Sequence, residues 1–325
     1  MVTLTRTQPE PDVEPPPHGR RRRRQREKYN RRETIAGLLF ISPWIIGFTV
    51  FTVVSMAWSM QLSFSNYDLA TNKGTPAGLA NYQLLLEDPK VLTSLGNTFY
   101  YALLSVPLEM IIALALAVLL ATVHRGAGVF RTIFFLPKMT PVVATASVFL
   151  LLLNGNVGAI NRFLGLFGIP GPQWLTDPDW VKPAIVIMSL WTVAGSMVIL
   201  LAALQNVPRE LYEAAETDGA SRVRQFFSIT VPLISPTLFF LTIVNTIAAL
   251  QVFDQAFLLF YRDGTSSAPD AALFYGVYLF QQAFRQFNFG LAAAMAWLLF
   301  VIILAITVVQ LKVGNRLVHY EGGTR

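Results

Sequence analysis

Six apolar stretches, each long enough to carry a helix across a bilayer, constrain this chain more than any other feature. They lie at about 35–62, 98–122, 132–153, 183–204, 233–260 and 289–312. About 20 helical residues rise about 30 Å, the thickness of the hydrocarbon core. The expected fold is therefore all-α: a polytopic membrane protein with six transmembrane helices. Composition points the same way. The chain is 54% hydrophobic and 14% charged, whereas a soluble domain carries about 25% charged residues. Too little polar surface exists to cover a water-soluble globule of 325 residues, and most of the chain is too apolar to be disordered. Pro137 and Pro141 sit at the start of the third stretch and predict a kinked or displaced entry.

Charge gives the orientation. Ten Lys/Arg fall in residues 1–33, including the run Arg20 to Arg24. A basic tract can mark nucleic acid, a membrane surface or topology. Here it borders the first apolar stretch, which selects topology and leaves no nucleic-acid partner expected. An even number of spans puts both termini on one side. That side, with the 123–131 and 205–232 loops, holds eighteen Lys/Arg, against six in the alternate loops. The richer side is expected to be cytoplasmic, so both termini are cytoplasmic in a multi-pass protein of the cell membrane. Residues 1–33 are expected to be a disordered basic tail associated with the bilayer surface. They do not read as a signal peptide, because the stretch that follows is far longer than an h-region. Residues 34–320 form the transmembrane domain, with 206–232 as a cytoplasmic loop within it.

Several chemistries are excluded. Zero Cys removes disulfides, thiolate metal sites and a Cys nucleophile. The three His (His18, His124, His319) are far apart, so no metal site and no Ser-His-Asp set is expected. The sequence has no Gly-Lys pair, as a phosphate-binding P-loop requires. No cofactor and no catalytic residue are expected, and this chain is not expected to be an ATPase by the P-loop route.

The loop between the fourth and fifth stretches reads as structure. Asn206 can cap a helix start, Pro208 suits a first turn, and Glu210 and Glu213 lie near the positive end of the dipole. Leu211, Ala214 and Ala215 form a small apolar stripe. Gly219 can end the helix in the left-handed conformation, and Ser221 can cap a second short helix before Pro232. From periodicity alone, an interfacial amphipathic turn with no partner remains open.

The spacing Glu213-Ala214-Ala215, three residues, Gly219, nine residues, Ile229-x-Val231-Pro232 resembles the EAA loop of ABC importer permeases, with Val231 where that family has Leu. The resemblance runs over about residues 34–312. Ser42-Pro43, Gly78-Leu79-Ala80-Asn81-Tyr82, Arg131-Thr132-Ile133-Phe134-Phe135-Leu136-Pro137, Trp174-Leu175, Trp191, Gln251-Val252-Phe253-Asp254 and Phe287-x-Phe289-Gly290-x-Ala292-Ala293-Ala294 are similar to the carbohydrate-uptake class. One segment departs: Tyr261-Arg262-Asp263-Gly264-Thr265 stands where the class has Thr-x-Gly-Gly-Pro. The resemblance implies a permease subunit that forms the path for a sugar or sugar-like polyol delivered by an extracytoplasmic binding protein. It implies two ABC ATPase subunits and a second, related permease as partners. It also makes 206–232 the coupling loop, with Glu213, Ala214, Ala215, Gly219, Ile229 and Pro232 as ATPase-coupling residues. A permease for another small solute, or an ion-driven secondary transporter, are the alternatives.

Polar side chains within spans are costly and face a bundle interior or a cavity. In the fifth stretch, Gln251, Asp254 and Gln255 are three and four apart, which puts them on one face of a continuous helix. With Asn245, Phe253 and Phe257 they are candidates for the substrate path. Amides and a carboxylate pair with hydroxyls, and aromatic rings take the C–H faces of a sugar. Interhelical hydrogen bonding is the competing role for the polar ones. Glu109, within the second stretch, is expected to be structural, with Lys138 as a candidate partner.

Overall fold

A computed structural model describes residues 31–68, 73–123, 126–261 and 268–317. Most of the basic tail, the three His and Arg262 to Thr265 of the departing segment lie outside the described residues. The chain divides into two compact units, residues 1–57 and 58–325. The first holds α1 (Arg31–Phe48) and a π-helical turn at Thr49–Val54. With α2 (Ser55–Ser63) they make one 30-residue apolar helix, Thr34–Ser63. Pro43 is carried inside α1, and its neighbour Ser42 donates to the Leu39 carbonyl at 2.7 Å.

The second unit opens with a short antiparallel hairpin, β1 (Ser65–Asp68) on β2 (Lys73–Pro76), with Asn66 opposite Thr75. Then come α3 (Ala80–Glu87) and the 34-residue α4 (Pro89–Thr122). Asp88 caps α4 by accepting from the Lys90 amide at 2.9 Å, and Pro89 fills the first turn. The helix thus begins nine residues before its apolar stretch. Asn97 and Thr98 are buried in this early part and hold another segment. Asn97 donates to the carbonyls of Asp270 and Leu273 at 2.8 and 2.9 Å, and the Thr98 hydroxyl accepts from the Tyr275 amide.

The next two expected spans are each broken. The third is α5 (Ala127–Met139) and α6 (Val142–Leu152), bent by 94°. Pro137 in the last turn of α5 and Pro141 just past it cannot supply ladder donors, so the chain turns at Thr140. After α7 (Ala159–Gly165), the fourth is α8 (Pro178–Leu190) and α9 (Ala194–Gln205), bent by 48°. At this junction the Trp191, Thr192 and Val193 amides bond three residues back, and the Ser189 and Thr192 hydroxyls donate to the Val186 and Ser189 carbonyls. The architecture is therefore all-α, with four helices long and apolar enough to cross a membrane, or up to six if each bent pair is one span.

The elbow helices α10 (Arg209–Thr217) and α11 (Arg222–Gln225) lead into α12 (Val231–Leu250), followed by α13 (Asp254–Phe260), α14 (Tyr275–Phe280) and α15 (Phe289–Leu317). Two cores hold the bundle. One centres on α4 and α9, where Ala113 and Ala117, one turn apart and fully buried, let Met197 and Leu200 approach closely. The other joins α4, α8, α13 and α14 around Phe274, Tyr275, Ile185 and Met188.

Around α14 three phenols are shielded from water. Burial pushes Tyr261 and Tyr278 up to about 12, aided by the Asp270 charge for Tyr261 and by the bond to Asp88 for Tyr278. Burial likewise raises Tyr275. An unfolded phenol ionises near pH 10, while the folded ones keep their protons to about pH 12. The folded state then binds more protons than the unfolded one, so stability is full below pH 10 and is lost as pH rises to about 12. Melting of the detergent-solubilised protein is expected to decline over that range, and Tyr261→Phe is expected to flatten the decline.

Candidate functional site

The elbow is built by two opposite devices. Val207 is buried and Asn206 continues the last turn of α9 by donating its amide to the Ala203 carbonyl. Asn206 therefore does not cap the next helix, as its position in sequence suggested. Instead α10 starts after Pro208, which sits at φ −60° and ψ 130° with no side-chain cap. At its other end the helix stops at Gly219, whose φ is +76°. The Gly219 amide donates to the Glu216 carbonyl at 3.0 Å, and the Ala220 amide reaches back to the Ala215 carbonyl at 2.9 Å. These bonds satisfy the terminal carbonyls that a helix end would leave open. Ser221 accepts from the Arg224 amide, as the sequence suggested.

Beyond Ser221 the structure differs from a separate short helix. The chain is helical without a break from Arg222 through a π-helical turn at Phe226–Thr230 into α12. The wide turn lies just before Pro232, whose ring would clash with the carbonyl four residues back in a regular helix. Ile229 and Pro232 are half-buried within this continuous helix. Glu213, Ala214 and Gly219 are exposed and Ala215 is half-buried. The elbow is pinned to α12 through the Tyr212 and Thr230 hydroxyls at 2.8 Å, and by buried Gln225 donating to the Ala220 carbonyl. Between it and the ends of α4 and α9 is a cavity of about 380 Å³, lined by Thr122, Gln205, Arg209, Tyr212 and Phe226 among others.

The second group of candidate residues lies at the far end of α12. The fifth span is not one continuous helix. Gln251 ends α12, Phe253 adopts φ −138° and ψ −63°, and α13 restarts at Asp254. The helical repeat that would put Gln251 on one face with Asp254 and Gln255 is therefore interrupted between them. Gly276 of α14 lies against the break, where an added Cβ would stand 2.9 Å from the Val252 carbonyl. Gln251 and Asp254 are exposed, and Gln255, Phe253 and Phe257 are half-buried. The rings of Phe253 and Phe257 stack at 5.3 Å.

Asn245 faces elsewhere. Its amide donates to Glu109 at 3.2 Å and to the Ser196 hydroxyl at 3.1 Å, and Ser196 donates to the same Glu109 oxygen at 2.8 Å. One carboxylate thus ties α4, α9 and α12 together. Lys138 acts on Glu109 through its charge, with its side chain against Gly195, the neighbour of Ser196. Reading the sequence missed Ser196, because a lone serine in an apolar helix carries no spacing signal.

An apolar bundle of helices long enough to cross a bilayer defines a polytopic membrane protein. Residues 110–319 match the family described as the binding-protein-dependent transport system inner membrane component. The chain belongs to that family and is an ABC importer permease. It is 39% identical over 90% of its length to the probable ABC transporter permease protein YesP of Bacillus subtilis, of which it covers 94%. It is 34% identical over 89% of its length to the trehalose/maltose transport system permease protein MalF of Thermococcus litoralis, covering 96% of it. Its fold matches a chain of a bacterial ABC transporter that imports alginate, at a TM-score of 0.78 and 23% identity over 89% of this chain and 98% of that one.

Proposed function

We propose that the protein forms half of an ATP-driven pathway for a sugar or sugar-like polyol handed over by an extracytoplasmic binding protein. The observation that carries this reading is the elbow: an exposed Glu213-Ala214-Ala215 surface on a helix closed by left-handed Gly219, hung over a cavity, in a chain of this family. Small side chains let a partner surface come close, and Glu213 offers a charge for a basic group on it. Two ATPase subunits dock there, a second related permease completes the path, and both termini face the cytoplasm. Gln251, Asp254, Gln255, Phe253 and Phe257 stand where the fifth span opens and are the residues offered to the solute, while Asn245 serves it through Glu109. The sugar assignment draws support from relatives named for lactose and for trehalose and maltose. Family membership supports this reading over an ion-driven carrier.

Affinity purification of the tagged chain from its own membranes is expected to recover an ATPase and a second permease. Proteoliposomes holding that assembly and its binding protein should accumulate a labelled sugar only when ATP is supplied on the elbow side. Accumulation that survives loss of the ATPase would overturn the proposal.

A further inference from the structure

We propose that a ladder of aromatic rings at the end of the bundle remote from the elbow is a sugar track, leading from a receiving cavity to the break in the fifth span. The proposal rests on the sugar-import reading above and adds residues that reading does not use. The rungs are in contact throughout: Tyr67 to Phe289 at 6.4 Å, Phe289 to Phe284 at 6.4 Å, Phe284 to Phe280 at 5.0 Å and Phe280 to Phe257 at 5.1 Å. Phe280 also meets Phe253 at 5.3 Å. The first rungs, Tyr67 and Phe289, line a cavity of about 250 Å³ whose other lining residues include Asn66, Asn81 and Asn288.

Three observations set this ladder apart from rings that merely face lipid. Its backing is polar: Asn288 donates to Gln282, Gln282 donates to the Tyr278 hydroxyl, and that hydroxyl donates to Asp88. A chain of amides and a carboxylate is costly against hydrocarbon. The segment that carries the central rungs, Gln281-Gln282-Ala283-Phe284-Arg285-Gln286-Phe287-Asn288, interleaves rings with amides, and Phe284 remains 60% exposed. Finally, Phe287, 57% exposed, is held at φ +57°. That conformation is unfavourable for a bulky residue, and such strain collects at functional sites.

The chemistry fits a ring-shaped polyol. An aromatic face is electron-rich and attracts the partly positive C–H face of a pyranose, while neighbouring amides exchange hydrogen bonds with its hydroxyls. Successive rings 5.0–6.4 Å apart let a sugar pass from one ring to the next without full rehydration.

Uptake kinetics of the assembled transporter in proteoliposomes test the track, with lactose, trehalose, maltose and arabinotriose as probes. For whichever probe the wild type carries, Phe284→Ala and Tyr67→Ala are expected to raise the KM about three- to tenfold, the loss of one stacking surface. The kcat should stay within about twofold, and Phe284→Trp should restore the KM. Phe240→Ala, which removes an exposed ring of α12 outside the ladder, should leave KM unchanged. Unaltered KM in both track variants overturns the track and leaves sugar import standing. Poor assembly with normal KM in what does assemble also overturns it, and assigns the rings to lipid or to the second permease. A wild type that accumulates an amino acid or polyamine and no sugar or polyol removes the sugar reading, and the track with it.

Discussion

Gly219→Pro is expected to lower ATP-driven uptake by about a hundredfold while the protein still inserts and folds as a bundle. Proline cannot reach φ +76° and has no N–H to donate to the Glu216 carbonyl, a bond of 3.0 Å in the native elbow. Forcing proline where its φ and its missing donor are both wrong costs about 3 kcal/mol, and each 1.4 kcal/mol is a factor of about ten in the population of the competent elbow. The damage stays local, because Gly219 is exposed, with nothing within 4 Å of its missing Cβ. Gly219→Ala meets no atom and retains its N–H, so it carries only the left-handed strain of about 1–2 kcal/mol and should lose less. Glu213→Lys tests the same surface by charge instead of shape, since Glu213 is exposed and its side chain supports nothing in the bundle interior. The measurement is ATPase recovery on purification alongside uptake. Normal uptake in both Gly219→Pro and Glu213→Lys would refute the coupling role.

Glu109→Ala is expected to cause the largest loss of stability. The carboxylate is the common acceptor for Ser196 and Asn245, so its removal strands two donors on two other helices. Breaking a buried, hydrogen-bonded charge cluster costs about 3–5 kcal/mol. Glu109 is only half-buried, so a loss of about 2–3 kcal/mol is the appropriate expectation. Glu109→Gln keeps an acceptor oxygen for both partners and should recover at least half of it. Ser196→Ala and Asn245→Leu each remove one donor, and their combined effect should be less than additive because they share one oxygen. Thermal unfolding in detergent reads all four. If Glu109→Ala melts like the wild type, the cluster does not hold the three helices together.

Much of this architecture was legible in the residues. The apolar stretches marked the first, second and sixth helices to within a few residues, apart from the early start of α4. That start escaped because Lys90, Thr93, Ser94 and Asn97 make it polar, and hydropathy cannot tell a polar turn in solvent from one packed on a neighbouring segment. Pro137 and Pro141 signalled a disturbed third span, because the missing donor is a property of the residue itself. The elbow was legible for the same kind of reason: Gly219 alone tolerates a left-handed turn, and Ser221 carries its own acceptor.

What sequence could not supply were the features that exist only between elements. The fifth span carries no proline at Gln251 to Phe253 to signal a break. The break is seen only with Gly276 seated on the Val252 carbonyl, a contact 24 residues away along the chain. Asn245 and Asp254 looked alike as polar residues in one apolar run, yet one is bound to Glu109 and Ser196 and the other opens a new helix. The aromatic ladder joins Tyr67 to Phe253, residues far apart in sequence that meet at one end of the bundle. Sequence determined which residues must leave water, since that is a sum over local chemistry. Tertiary structure decided which polar groups meet, because a hydrogen bond within the bundle depends on two helices arriving together.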